Sequence, residues 1–116
     1  MWEEKLTITG VPGAHEDERI LRLNGPITVA TLFEFQDTIR AEKSAKTLIL
    51  DFTQVPYVDS GGVGVIVNAH VSCVNSGRRL ILVGVSDRIR TLMRVTKVDQ
   101  ILAFFPTLEE AQAAKP

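Results

Sequence analysis

The segment Val55-Pro56-Tyr57-Val58-Asp59-Ser60-Gly61-Gly62-Val63-Gly64 joins two apolar runs of different character, and its reading decides the fold. Upstream, Thr47-Leu48-Ile49-Leu50-Asp51-Phe52 carries four apolar residues in six together with β-favouring Thr, Ile and Phe, which predicts a buried strand. Downstream, Val63, Val67, Ala69, Val71 and Val74 run to a stop at Asn75-Ser76-Gly77 and predict a buried helix over 61–75 with Gly77 as its C-cap. Between the two, Ser60 precedes Gly61 and Gly62, so the backbone can turn sharply and present its N–H groups outward. A serine in that place is ordinarily an N-cap, and the same geometry suits a nucleophile, an anion site or a modification site.

Outward from this junction, Lys5 to Val11 and Glu18 to Asn24 are extended, β-branched stretches separated by the polar turn Pro12-Gly13-Ala14-His15-Glu16-Asp17, which predicts an antiparallel hairpin. Asn24-Gly25-Pro26 breaks the second strand. Thr28 then stands where it would cap a helix carrying Leu32, Phe33, Phe35, Ile39 and Ala41, with Leu32, Phe35 and Ile39 as its apolar stripe. The buried strand extends over Ala45 to Phe52. Past the central helix, Leu80-Ile81-Leu82-Val83-Gly84-Val85 is too short for a helix and apolar on both faces, so it belongs in the sheet interior. Ser86-Asp87 starts a helix that buries Ile89, Leu92, Met93 and Val95, and Val98 to Phe105 forms a short final strand or extended segment. Thr107, three residues before Glu110, makes a capping box for a C-terminal helix over Ala111 to Ala114. The order β-β-α-β-α-β-α-β-α implies an α/β fold with a mixed sheet of about five strands, an antiparallel hairpin followed by parallel strands, packed by four helices.

The 116 residues, 45% of them hydrophobic, have the size and apolar content of one domain spanning 1–116. Thirteen Lys and Arg against fourteen Asp and Glu leave a net charge of -1, which supplies no field for nucleic acid. No apolar stretch approaches the roughly 20 residues that cross a bilayer, so membrane insertion is not expected. Glu3 and Glu4 stand where a secretion signal would be positive, and the single Cys73 forms no internal disulfide; both fit a cytoplasmic protein.

Enzymatic readings of Asp59-Ser60-Gly61-Gly62 fail on the residues around them. Trypsin-like proteases share these four letters, but such a nucleophile needs a histidine within hydrogen-bond reach. His15 lies in a predicted turn, and His70 is ten residues along the same helix, about 15 Å at the helical rise. Gly61-Gly62-Val63-Gly64 lacks the Gly-Lys-Ser/Thr ending of a phosphate loop. Asp51 has no acidic pair after the first strand to hold the metal a receiver phosphoacceptor needs. No cofactor is implied. The remaining reading is modification of Ser60 by another protein. Phosphate at a helix N-terminus meets free N–H donors and the positive end of the helix dipole, so the fold tolerates it while the surface changes sign.

Leu48-Ile49-Leu50-Asp51-Phe52, Val58-Asp59-Ser60-Gly61-Gly62-Val63-Gly64 and Arg79-Leu80-Ile81-Leu82-Val83-Gly84-Val85-Ser86 together resemble the STAS domain, the sulphate-transporter and anti-sigma-factor-antagonist fold. The resemblance runs from about Lys5 to Ala114. Its most specific part is the family pattern Asp-Ser-Ser/Thr-Gly-Leu/Val-Gly, whose first serine, here Ser60, is phosphorylated by an anti-sigma factor that is also a serine kinase. The resemblance implies a non-enzymatic bacterial regulator of transcription that binds the kinase when unphosphorylated and releases it when phosphorylated; an unphosphorylated scaffold or adaptor of a signalling or lipid-transport assembly is the alternative. Two positions depart from the family: Gly61 replaces a second Ser or Thr, and Gly25-Pro26-Ile27-Thr28 replaces Gly-Glu-Leu-Asp.

Parallel crossovers bring strand C-terminal ends to one edge. The implied partner-binding residues are therefore Gly25 and Thr28 from one loop, Asp59, Gly61, Gly62 and Val63 from the central turn, and Ser86 from the next loop. Cys73 reads as a small buried hydrophobe, and Arg88, Arg90, Arg94 and Lys97 as a solvated cationic face or a partner or lipid-headgroup contact. Trp2 is expected under the sheet edge; exposed, it would favour self-association.

Overall fold

The computed structural model describes residues 5–114. Ten elements follow in chain order: β1 (Thr7–Pro12), β2 (Glu18–Asn24), α1 (Leu32–Ala41), β3 (Thr47–Gln54), α2 (Ser60–Asn75), β4 (Arg79–Val83), α3 (Asp87–Val95), a 3-10 turn (Val98–Gln100), β5 (Ala103–Phe105) and α4 (Leu108–Ala113). The five strands lie side by side in the order of the chain, with β1 antiparallel to β2 and every later pair parallel.

This order fixes where the helices go. Three right-handed crossovers that step in the same direction place their helices on one face of the sheet. Side chains alternate along each strand, so the register separates two cores. Leu21, Leu50 and Leu82 align across the sheet. They pack with Phe35 and Ile39 of α1, Ile66 and Ala69 of α2, and Ile89 and Met93 of α3. Ile20, Ile49 and Ile81, one residue out of phase, form a smaller core on the opposite face under Ala111 of α4. Because β4 is covered on both faces, Leu80 through Val83 are all buried, as their unbroken apolar run predicted.

The mixed sheet, hairpin and four helices match expectation, and boundaries and exposures supply the corrections. β3 continues to Gln54, and the Val98–Phe105 segment divides into a 3-10 turn and a three-residue strand. The C-cap of α2 is Ser76; Gly77 is the residue after it, at φ +72°. There Arg78 N–H donates to Cys73 O (2.7 Å) and Gly77 N–H to Val74 O (3.2 Å), a pairing that requires the left-handed glycine. Thr107 does cap α4, accepting from Glu110 N–H at 3.2 Å. Several apolar residues expected inside are outside: Val95 is 75% exposed, and Val71 and Val74 also face solvent. In each helix the sheet receives only one stripe, and these residues fall beyond it. Arg90 leaves the solvated cationic face, because its guanidinium stacks 4.0 Å above the Phe104 ring of β5. Trp2 lies outside the described residues.

Two glycines of α2 separate packing from helix propensity. A methyl group at Gly62 would come within 2.5 Å of Val58 and 2.8 Å of Ile27, whereas at Gly64, which is exposed, it would meet nothing within 4 Å. Gly64→Ala should raise unfolding free energy by about 0.5–1 kcal/mol through helix propensity alone. Gly62→Ala should lower it by about 1–3 kcal/mol through overpacking. Urea unfolding of both variants checks the opposite signs.

Candidate functional site

The C-terminal ends of β2 and β3 are stitched together before α1 and α2 begin. Past β2, Gly25 turns at φ +124° and donates its N–H to Gln54 O (3.1 Å). A side chain at Gly25 would run into the Lys5 carbonyl. Ile27 then pairs with the approach to α2: its N–H donates to Tyr57 O (3.1 Å), and Asp59 N–H donates back to Ile27 O (3.0 Å). The two loops thus share a short parallel bridge, Ile27 to Val58, that continues the sheet by one step.

Asp59 completes the junction. Its Oδ1 accepts from Gly62 N–H at 2.9 Å, capping α2, while its Oδ2 accepts from Val29 N–H at 3.0 Å. Asp59, and not Ser60, is therefore the N-cap. The physical reason is valence: a carboxylate offers two charged acceptors, and here one serves the helix and the other the neighbouring loop. Ser60 becomes the first residue of α2 and is exposed. Its hydroxyl makes no hydrogen bond among the described residues, and neither do the backbone N–H groups of Ser60 and Gly61. An uncommitted hydroxyl thus stands at the positive end of a 16-residue helix.

Thr28 does not cap α1. It opens a turn instead, with Thr31 N–H donating to Thr28 O (3.0 Å) and Ala30 N–H to Thr28 Oγ1 (3.2 Å). The helix begins only at Leu32, after Thr31, whose hydroxyl makes no cap because it accepts from Thr28 N–H (3.0 Å) and donates to Pro26 O (2.9 Å). The structure brings Asp59, Ser60 and Gly61 together with the Gly25–Thr31 loop. Gly62, Val63 and Thr28 are buried beneath that face, Val63 and Thr28 each 6% exposed. Ser86 is exposed and caps α3 by accepting from Ile89 N–H (3.3 Å), one strand farther along the same sheet edge, with no hydrogen bond to the Asp59 turn among the described residues. Gly61 has its own constraint: an added side chain would come 3.3 Å from Asp59 Oδ1 and 3.5 Å from Leu32 Cδ2, crowding the capping carboxylate.

Sequence reasoning missed two exposed apolar residues, Val29, whose N–H is held by Asp59, and Phe33 on α1. The signal for Phe33 was present, since a stripe of Leu32, Phe35 and Ile39 leaves position 33 on another side of the helix. Among the described residues no group of three His, Cys, Asp or Glu could hold an ion. Asp51 accepts from Thr53 N–H (2.9 Å) and Thr53 Oγ1 (2.6 Å), which commits it to its own strand. Cys73 is buried; desolvation pushes its thiol up, opposed by the nearby Arg78 charge. No helix among the described residues is long and apolar enough to cross a membrane.

With this geometry in place, the comparison with known proteins is direct. A family model for the STAS domain matches residues 6–111. The chain belongs to the STAS domain family. A curated STAS relative, the anti-sigma-B factor antagonist of Listeria monocytogenes, is 38% identical over 60 residues, covering 52% of this chain and 53% of that protein. The chain thus spans about half the length of the curated relatives it matches first. The solved solution structure of the protein TM1081 of Thermotoga maritima is 27% identical, with a TM-score of 0.74 over 84% of this chain and 81% of that one. The Bacillus cell fate determinant SpoIIAA, solved in its phosphorylated form, superimposes with a TM-score of 0.70 over 90% of this chain and 96% of its own at 19% identity, a likeness of fold.

Asp59→Ala should cost about 1–2 kcal/mol by removing the α2 cap, with the loop amide of Val29 exchanging hydrogen faster. Urea unfolding and amide exchange measure the two effects separately. The Cys73 thiol should react with Ellman's reagent far more slowly than a free thiol, at a rate that rises with denaturant.

Proposed function

We propose that this STAS domain works as one non-enzymatic module, an anti-sigma factor antagonist that switches partners. Unphosphorylated, it binds a serine-kinase anti-sigma factor in the bacterial cytoplasm; phosphorylated on Ser60, it releases that kinase and so changes which sigma factor is free. The observation that carries this reading is the division of labour at the α2 N-terminus. Asp59 does the capping, so the Ser60 hydroxyl is exposed and unengaged, open to modification without loss of the cap. The names of the curated relatives support the antagonist role, and the anti-sigma factor as partner follows from it.

Phosphate on Ser60 adds about two negative charges beside the Asp59 carboxylate. Inside this chain the charge is accommodated, since the amides of Ser60 and Gly61 are free to face it and the helix dipole favours it. At the surface it is not. Ser60, Gly61 and Gly64 are exposed and carry almost no side-chain bulk, so a partner can approach the backbone closely. Such a partner would have to desolvate a dianion next to a carboxylate, which is worth several kcal/mol against binding. Asp59, Gly61, Gly25 and Ser86 would form or frame the contact face, with Thr28, Gly62 and Val63 supporting it from below.

Incubating the protein with the serine-kinase anti-sigma factor of its source organism and ATP, then measuring intact mass, should show one added phosphate on the wild type and none on Ser60→Ala. An unmodified wild type, or equal phosphate on the Ala variant, would overturn the switch at Ser60. Ser60→Asp should bind the kinase at least about tenfold more weakly than Ser60→Ala, the equivalent of about 1.4 kcal/mol.

A further inference from the structure

Away from the Ser60 turn, α1 and α2 diverge around a cavity of about 610 Å³. One wall is short throughout: Val65, Asn68, Ala69, Ser72 and Cys73 of α2 bring no long side chain into the space, which is why it stays open. The floor is apolar, with Ile39, Val65 and Ala69 each 8% exposed and Cys73 2%. The rim is cationic. Arg40 stands on it from α1 and Lys43 from the turn after that helix, and Arg78 closes the end beyond α2, while no Asp or Glu lines it.

Among the described residues these three charges have no carboxylate partner. Arg78 is fixed by two backbone carbonyls, its Nε donating to Ala45 O (2.7 Å) and its Nη2 to Glu42 O (3.0 Å), contacts that orient the guanidinium without neutralising it. The nearby Glu42 carboxylate is already taken, paired with Arg19 at 3.0 Å. Among the described residues no carboxylate lies within ion-pair distance of Arg40, Lys43 or Arg78. In a chain of net charge -1, a trio of unpaired cations around one apolar hollow is a local reversal of sign.

We propose that this groove binds a small organic phosphate, its phosphoryl group held by Arg40, Lys43 and Arg78 and its apolar body resting on Ile39, Val65 and Ala69. The volume falls within the roughly 300–1,000 Å³ of small-molecule sites. A monocarboxylate would answer only one of the charges, whereas a phosphomonoester brings nearly two and three acceptor oxygens suited to the guanidinium fork. A bare phosphate would leave the floor unused. Val65, at the near end of the groove, is about 7–8 Å along the helix axis from Ser60. The groove is thus separate from the hydroxyl, and its ligand holds or fails independently of the kinase switch.

The test uses phenyl phosphate, which joins a ring to a phosphomonoester, against the intact chain. In an amide NMR titration it should shift Ala69, Cys73 and Arg78 saturably, and the exposed pair of substitutions Arg40→Gln and Lys43→Gln should weaken binding by at least about tenfold with the fold unchanged. Benzyl alcohol, with the ring and no charge, should shift none of them. Co-sedimentation with phosphatidylcholine vesicles containing phosphatidic acid distinguishes the source of the phosphate. Sedimentation that phenyl phosphate competes away assigns the groove to a lipid headgroup, and no sedimentation assigns it to a soluble ester. The proposal is overturned by absence of saturable shifts, by equal affinity in the double variant, by equal shifts with benzyl alcohol, or by vesicle binding that phenyl phosphate does not compete.

Discussion

The Asp59 carboxylate holds two segments of chain in one place. One oxygen closes the first turn of α2 and the other receives the amide of Val29, 30 residues upstream. Both are hydrogen bonds to a charged acceptor, the stronger class of hydrogen bond. Without them the bridge between Ile27 and Val58 would be the main tie between the loops after β2 and β3. The same arrangement decides what Ser60 is. Because the cap is supplied by its neighbour, the serine is relieved of the task that serines at helix starts usually perform.

The one-sided placement of α1, α2 and α3 explains the rest of the surface. A sheet whose crossovers all step the same way loads three helices onto one face and leaves the other to α4. Adjacent helices on such a face meet along grooves. Where both contribute large side chains the groove fills, and where α2 offers only Val65, Asn68, Ala69, Ser72 and Cys73 it does not. The Ser60 face and the cationic hollow are therefore two products of one helix: its exposed N-terminal turn, and its small-residue side toward α1.

Much of this was legible in the sequence. Alternation and apolar runs gave the strands, the hairpin and the buried position of β4, because those features are imposed by the period of the backbone itself. Capping was legible only where the acceptor is local, as with Thr107 and Ser86. At Thr28, Thr31 and Ser60 it was not: the two threonines bond within their own turn, and the neighbouring Asp59 makes the cap that a serine at Ser60 would ordinarily make. Exposure was the other blind spot. Val71, Val74, Phe33 and Val95 are apolar but surface-facing, and composition alone does not bury a residue. Arg90 is the converse, a charged residue drawn in by an aromatic ring from a strand that follows it.

The sheet is built in the order in which the chain is made. Each strand pairs with the one before it, so loop closures are short and the entropy cost of each new pairing is small. Every residue of the Asp59 junction lies between Gly25 and Gly64. During synthesis, which delivers the N-terminal part first, the two loops can meet once β3 and the start of α2 have emerged, well before β4 arrives to cover the far edge of β3. The Ser60 face can thus take shape on a chain that is still lengthening, while the groove above α2 must wait for Arg78.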